Sequence, residues 1–189
     1  LPVLETIELR LNRLKKIGQL KNLPQLKFLD LGRNPLSKLE NLEQIPSLKE
    51  LRMVGVRIDK LEGLDNLINL EVLEIADSNR DEKKITKLEN LENLENLKIL
   101  KLRFHAIEKL EGLNTLTQLE ELHLTDSKIK KLEGLDNQSR LQTLGLTSNQ
   151  IEKLENLDNQ TQLKTLYLKG NPIKKIENLE PLKNLESIN

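Results

Sequence analysis

The stretch Leu163-Lys-Thr-Leu-Tyr-Leu-Lys-Gly-Asn-Pro-Ile-Lys-Lys-Ile-Glu-Asn-Leu179 changes its hydrophobic rhythm halfway along. With Leu163 as position 1, aliphatic residues fall at positions 1, 4, 6, 11, 14 and 17. Positions 4 and 6 alternate as in a strand, whereas 11, 14 and 17 step by three, the spacing that eclipses side chains on a 3₁₀-type turn. One strand followed by one tight return is predicted. Working outward, the pattern recurs with first leucines at Leu4, Leu26, Leu48, Leu70, Leu97, Leu119, Leu141, Leu163 and Leu185. The step is 22 residues except from Leu70 to Leu97, where it is 27. The five extra residues are read around Asn79-Arg-Asp-Glu-Lys-Lys84.

A single unit of this kind cannot bury its own aliphatic stripe. Each leucine enclosed between neighbours contributes roughly 1.5–3 kcal/mol, so stability belongs to the stack. Strands set side by side at about 4.8 Å make a parallel sheet on one face, and the bulkier returns curve the stack with the sheet on its concave side. The expected fold is an α/β solenoid of eight full repeats with 3₁₀ or short-helix returns on the convex side. It is read as one domain over residues 1–189, with a partial ninth unit at Leu185.

The run Leu-x-x-Leu-x-Leu-x-x-Asn-x-Ile/Leu followed by x-Lys-Leu/Ile-Glu-x-Leu, as in Leu141 to Leu157 and Leu163 to Leu179, resembles the 22-residue class of leucine-rich repeats typified by the regulatory subunit of type-one protein phosphatase. The resemblance spans residues 4–188 and implies a horseshoe that binds a partner. It does not carry the phosphatase over, because that family's binding face is rich in aromatics and acids and this one is mixed in charge and poor in aromatics. Members of the family cover their terminal repeats with polar caps. Neither end of this sequence reads as one, so covalently linked flanking domains in a longer chain are expected.

Composition narrows the function classes. Lys+Arg and Asp+Glu are both 30, so the formal net charge is zero and non-specific attraction to nucleic acid or anionic lipid is not expected. Without cysteine there are no disulfides, thiolate metal sites or cysteine nucleophiles, a composition that suits a cytosolic protein and a bacterial surface protein alike. No apolar run approaches the roughly 20 residues of a membrane span. Catalysis and metal binding have no constellation to build on. His105 falls at an inward position and His123 on an outward one about 13 Å away, and the acids lie on an open sheet with no pocket to exclude water. No cofactor is expected. The glycosylation-type triplets Asn137-Gln-Ser139 and Asn159-Gln-Thr161 recur because the repeat recurs.

Two ladders read as structural. At position 9, Asn12, Asn34, Asn149 and Asn171 are placed to bond backbone groups in the bend after the strand, and the middle units replace them with Val56, Ser78, His105 and Ser127. On the returns, a lysine column from Lys38 to Lys175 runs beside a glutamate column from Glu40 to Glu177. The two neutralise each other as a solvated face.

Specificity is expected at positions 3, 5, 7 and 8, which face away from the buried leucines. Rule-breaking concentrates in units three to six, so the candidate partner-binding residues are Val72, Ile99, Lys101, Arg103, Phe104, Glu121 and His123, with Tyr167 further along the same face. The leading reading is a non-catalytic scaffold or regulatory module that binds another protein in the cytoplasm. The alternatives are a microbial surface or secreted protein that binds a host molecule, and the substrate-selecting region of an enzyme whose catalytic domain lies elsewhere.

Overall fold

The computed structural model describes residues 1–77 and 84–189. Most of the insertion read at 79–84, and Ser78, lie outside the described residues. Nine short strands form one parallel sheet in chain order: β1 (Thr6–Glu8), β2 (Phe28–Asp30), β3 (Glu50–Val56), β4 (Val72–Asp77), β5 (Ile99–Arg103), β6 (Glu121–His123), β7 (Thr143–Gly145), β8 (Thr165–Tyr167) and β9 (Ser187–Ile188). Every strand begins at position 3 of its unit. The register holds that phase throughout, pairing Thr6 with Phe28 and, across the longer step, Val72 with Ile99.

The phase is kept because a slip of one residue would turn the leucines out of the core. Leu51, Leu73, Leu100, Leu122 and Leu144 at position 4 are fully buried, as are the return residues Leu61, Leu64 and Leu67. The stack therefore has one continuous aliphatic core, covered along one side by the sheet.

The three-residue spacing of the returns appears as a string of single turns. Leu67 and Leu70 donate their N–H groups to the carbonyls of Leu64 and Leu67, and Leu116 and Leu119 to those of Leu113 and Leu116. Leu42–Gln44 closes into a 3₁₀ helix, and the other returns among the described residues are built of such single turns. A continuous helix advances only about 1.5–2 Å per residue, whereas isolated turns joined by extended residues cover more length with the same few positions.

Two bends recur along the stack. Position 8 takes the left-handed conformation in Leu11, Arg33, Gly55, Phe104, Asp126, Ser148 and Gly170. Position 16 does so in Asn41, Gly63, Asn90, Gly112, Gly134, Asn156 and Asn178. At position 16 the choice of Asn or Gly is dictated by space and bonding. Asn41 and Asn178 donate to the carbonyls of Ile17 and Leu154 in the preceding unit at 2.7 Å each, while a Cβ on Gly112 would lie 1.8 Å from the Leu88 carbonyl oxygen.

The asparagine ladder is formed where expected. Asn149 donates to the carbonyls of Leu124 and Leu146 at 2.8 and 3.0 Å and accepts the Ile129 N–H at 3.0 Å, and Asn34 and Asn171 repeat the arrangement. In three of the four units that lack the ladder asparagine the strands run on: β3, β4 and β5 have 7, 6 and 5 residues against 3 in β2, whereas β6, whose unit carries Ser127, keeps 3. The Asn amide bonds the carbonyls two and three residues back, a local alternative to the sheet. With Val56 in its place, the backbone continues to pair.

Candidate functional site

The outward positions of the sheet hold two groups of contacts. In the first, Lys101 Nζ lies 2.9 Å from Glu121 Oε2, and His123 Nε2 lies 3.6 Å from the same carboxylate. The His123 ring leans the other way, across Gly145, to a tilted contact with Tyr167 at 6.3 Å between centroids. Burial holds His123 below the ordinary imidazole range, and the neighbouring Lys101 adds to this against the pull of Glu121. The ring is thus neutral at pH 7, and the Glu121 charge is met by Lys101.

In the second group, the Arg103 guanidinium reaches back to the Glu74 carboxylate, whose side chain is only 14% exposed. Beside it Val72 and Ile99 pair across β4 and β5. Both are half-buried. The sign alternation of Arg52, Glu74 and Lys101 at position 5 does not produce pairs straight across. Arg52 binds Glu50 within its own strand and lies 5.6 Å over the Phe28 ring, Glu74 takes Arg103, and Lys101 takes Glu121. The long cations reach diagonally, where the acids are.

Phe104 is placed differently from the other candidates. It sits at position 8 with φ 64°, so it belongs to the bend and not to the strand. A left-handed backbone disfavours a bulky side chain by roughly 1–2 kcal/mol. The residue is 39% exposed and lines a shallow groove of about 460 Å³ together with Gly55 and Ala76. Lys101, Glu121, His123 and Tyr167 therefore form one cluster, Val72, Ile99 and Arg103 adjoin it, and Phe104 stands at the edge.

Several features escaped the sequence reading. Gln138 and Gln160 stand at position 20, otherwise an aliphatic column in most units. They are fully buried, and they donate Nε2 to the carbonyls of Leu113 and Leu135 at 2.7 and 2.6 Å. The signal was two polar residues in an apolar column. Asn137 and Asn159, in the glycosylation-type triplets, donate to the carbonyls of Asn114 and Asp136, which gives both a structural reason to recur. His105 is buried at the interrupted ladder, with neither ring nitrogen in a well-formed hydrogen bond. Burial lowers its pKa to about 4 although Asp77 pulls the other way. Among the described residues no group of three histidines or acids is arranged to hold a metal ion.

Residues 100–189 match the model of the leucine-rich repeat family, and residues 2–44 match the model for leucine-rich repeats in two copies. The chain is a leucine-rich-repeat protein. No curated protein is significantly similar to it in sequence. Among solved structures, internalin C2 from Listeria monocytogenes is similar with a TM-score of 0.85 and 24% identity over 97% of this chain and 79% of that one. The functional domain of InlJ from the same organism gives 0.81 and 23% over 98% of this chain. A leucine-rich-repeat protein of Leptospira interrogans gives 0.78 and 27% over 88%. The chain spans 38% of the InlJ domain and 43% of the Leptospira protein. The InlJ domain includes a cysteine ladder; this leucine-rich-repeat chain has no cysteine and builds its ladder from asparagine. Leucine-rich repeats serve as protein-interaction modules, and no helix among the described residues is long and apolar enough to cross a membrane.

Proposed function

We propose that this leucine-rich-repeat chain is a non-catalytic module that holds another protein against the sheet face of units four to eight. The observation that carries the reading is the cluster of His123 and Tyr167 over Gly145, bordered by Lys101, Glu121, Val72, Ile99 and Arg103. A half-exposed aromatic platform ringed by charges already paired is what a protein partner covers at low cost. The aromatic area supplies the attraction, and few unpaired charges must be stripped of water. Phe104, held in a backbone conformation that disfavours it, extends the surface to the edge.

The test is affinity capture with the wild-type chain and three variants. A partner of this face is retained by the wild type and by Lys153→Ala on the convex returns, and lost with Tyr167→Ala and with Phe104→Ala. A partner retained equally by all four overturns the assignment. The leading reading places the chain in the cytoplasm as a scaffold or regulatory module. A second reading, a microbial surface or secreted protein, draws on the bacterial source of the similar structures. Digestion of intact cells with an added protease separates them, since only a surface protein is cleaved.

A further inference from the structure

Position 5, the outward centre of each strand, reads Glu8, Asp30, Arg52, Glu74, Lys101, His123, Gly145 and Tyr167 from β1 to β8, and Gly145 is its single glycine. The His123 ring occupies the gap that this glycine leaves: a Cβ at 145 would stand 2.3 Å from His123 Nδ1. From that seat the ring reaches Tyr167, the only tyrosine of the chain, at 6.3 Å between centroids. Its other nitrogen, Nε2, lies 3.6 Å from Glu121 Oε2, the same oxygen that Lys101 Nζ holds at 2.9 Å. One carboxylate oxygen thus stands between a lysine that is charged and a histidine that is not.

The seat suits a neutral ring. With its proton on Nε2, toward Glu121, such a ring lays only a lone pair against Gly145. A second proton puts an N–H on Nδ1, where Gly145 has no side chain to accept it and its carbonyl already takes the Leu124 N–H at 2.8 Å. The charged groups that face the ring are Lys101 and Arg103 of β5, which repel an imidazolium, and Glu121 of β6, which attracts it. β7 carries no charged residue, and β8 adds only the Tyr167 phenol. Arg103 is held by Glu74, so the acid in reach of a charged His123 is Glu121, and Lys101 is its competitor there.

We infer that His123 is an acid-operated latch on the sheet face: protonation withdraws its ring from Gly145 and Tyr167 and brings it to Glu121 in place of Lys101. The proton comes from solvent and stays on the imidazole. The charge of Glu121 is then met by His123, and Lys101 turns out to water as an unpaired cation. Two properties of the surface change together: the joined aromatic area of His123 and Tyr167 divides, and the neutral cluster gains one positive charge. Burial, the main cause of the lowered His123 pKa, sets the latch to act below the ordinary imidazole range. A partner fitted to the neutral face is let go as pH falls. That use rests on the sheet-face reading given above, whereas the latch itself is a property of the chain alone.

The test is an NMR titration of the full chain without a partner, following the ring protons of His123 and Tyr167 from pH 8 downward. The single tyrosine gives one set of ring signals, and its phenol ionises only near pH 10. In the wild type, cross-relaxation between the two rings is present at pH 8 and lost as His123 protonates, and the Tyr167 signals move with the His123 midpoint. His123→Phe keeps a ring that cannot titrate, and the Tyr167 signals then stay fixed. Lys101→Met removes the competing cation and raises the midpoint by about half a pH unit or more, whereas Glu121→Gln removes the receiving carboxylate and lowers it. His105→Asn leaves the Tyr167 titration as in the wild type, which assigns it to His123. Ring contact that persists after His123 is protonated, Tyr167 signals that move equally in His123→Phe or stop moving in His105→Asn, or a midpoint unmoved by both Lys101→Met and Glu121→Gln overturns the latch. With no partner in the sample, the latch and the capture of a protein on this face fail separately.

Discussion

Gly145 lies beneath the His123 ring so closely that a Cβ at 145 would stand 2.3 Å from His123 Nδ1. The missing side chain is what lets His123 of β6 cross β7 and reach Tyr167 of β8. Gly145 is not in the left-handed region, so alanine there meets no backbone strain, and the clash alone decides the outcome. Gly145→Ala is expected to swing the imidazole out toward water while changing global stability by less than about 1 kcal/mol. Burial is the main cause of the depressed His123 pKa, so the variant's pKa should rise toward the ordinary 6.5. An NMR titration of the His123 ring protons reads this directly; an unchanged titration would mean the ring does not rest on Gly145.

His105 replaces a ladder asparagine with a ring that the folded chain keeps neutral, its pKa lowered from 6.5 to about 4. The unfolded chain therefore binds the extra proton first as pH falls. The stability of the neutral form is fully present above about pH 6.5 and is lost toward pH 4, by roughly 3 kcal/mol at the lower end. His105→Asn removes that dependence and sets an amide opposite the Ile75 carbonyl, as Asn149 is set opposite Leu124 at 2.8 Å. The expected gain is about 1 kcal/mol at pH 7, growing as pH falls. Urea denaturation of both proteins at pH 7 and pH 4.5 measures it. Parallel losses in the two would refute this role, since protonation of other carboxylates is common to both.

The fold was legible wherever one residue type answers to one physical demand. The aliphatic residue at position 4, leucine in all but the first and last strands, faces the core, and so the strands start in phase with it. Asn34, Asn149 and Asn171 bond the bend as their position implied. Legibility failed where backbone conformation or side-chain reach decides. Leu11, Arg33 and Phe104 are poor indicators of a left-handed bend, yet they adopt one because the stack imposes it on position 8. Arg103 and Glu74 do not share a column, and only the length of the guanidinium side chain brings them together. Of the candidate residues, Lys101, Glu121, His123 and Tyr167 meet in one cluster. The residue that joins the last two, Gly145, carries no chemistry of its own to attract notice.

Gln138 and Gln160 make a second test of the core. Each buries an amide whose Oε1 has no hydrogen-bond partner. The carbonyls they donate to do not depend on them: Leu135 also accepts the Gln138 N–H at 3.1 Å, and Leu113 accepts the Leu116 N–H at 2.9 Å. Leucine, the usual occupant of this column, has nearly the same volume. Gln138→Leu and Gln160→Leu should each stabilise the chain by about 1–2 kcal/mol, because an unpaired buried acceptor is exchanged for buried hydrocarbon. A lower urea midpoint in either variant would show instead that the amide bond outweighs the orphaned oxygen.

Phe104 separates packing from function. If the ring is there to fill space, removing it costs about 2 kcal/mol or more, as for other aromatic truncations. Its exposure of 39% and φ of 64° argue the opposite: the fold bears backbone strain to present a ring that it only half uses. Glycine occupies the equivalent bend at Gly55 and Gly170 and adopts a positive φ without a steric penalty. Phe104→Gly is therefore expected to leave the melting temperature unchanged or raise it by an amount equivalent to about 1 kcal/mol. The same variant should weaken partner binding by more than about 1 kcal/mol. Arg103→Ala is the wrong control, because it strips the half-hidden Glu74 of its counter-charge and lowers stability as well. The pair Glu74→Gln with Arg103→Gln keeps the site neutral and is the proper comparison. Loss of stability with Phe104→Gly and no loss of affinity would return Phe104 to the core and leave the sheet cluster as the surface to defend.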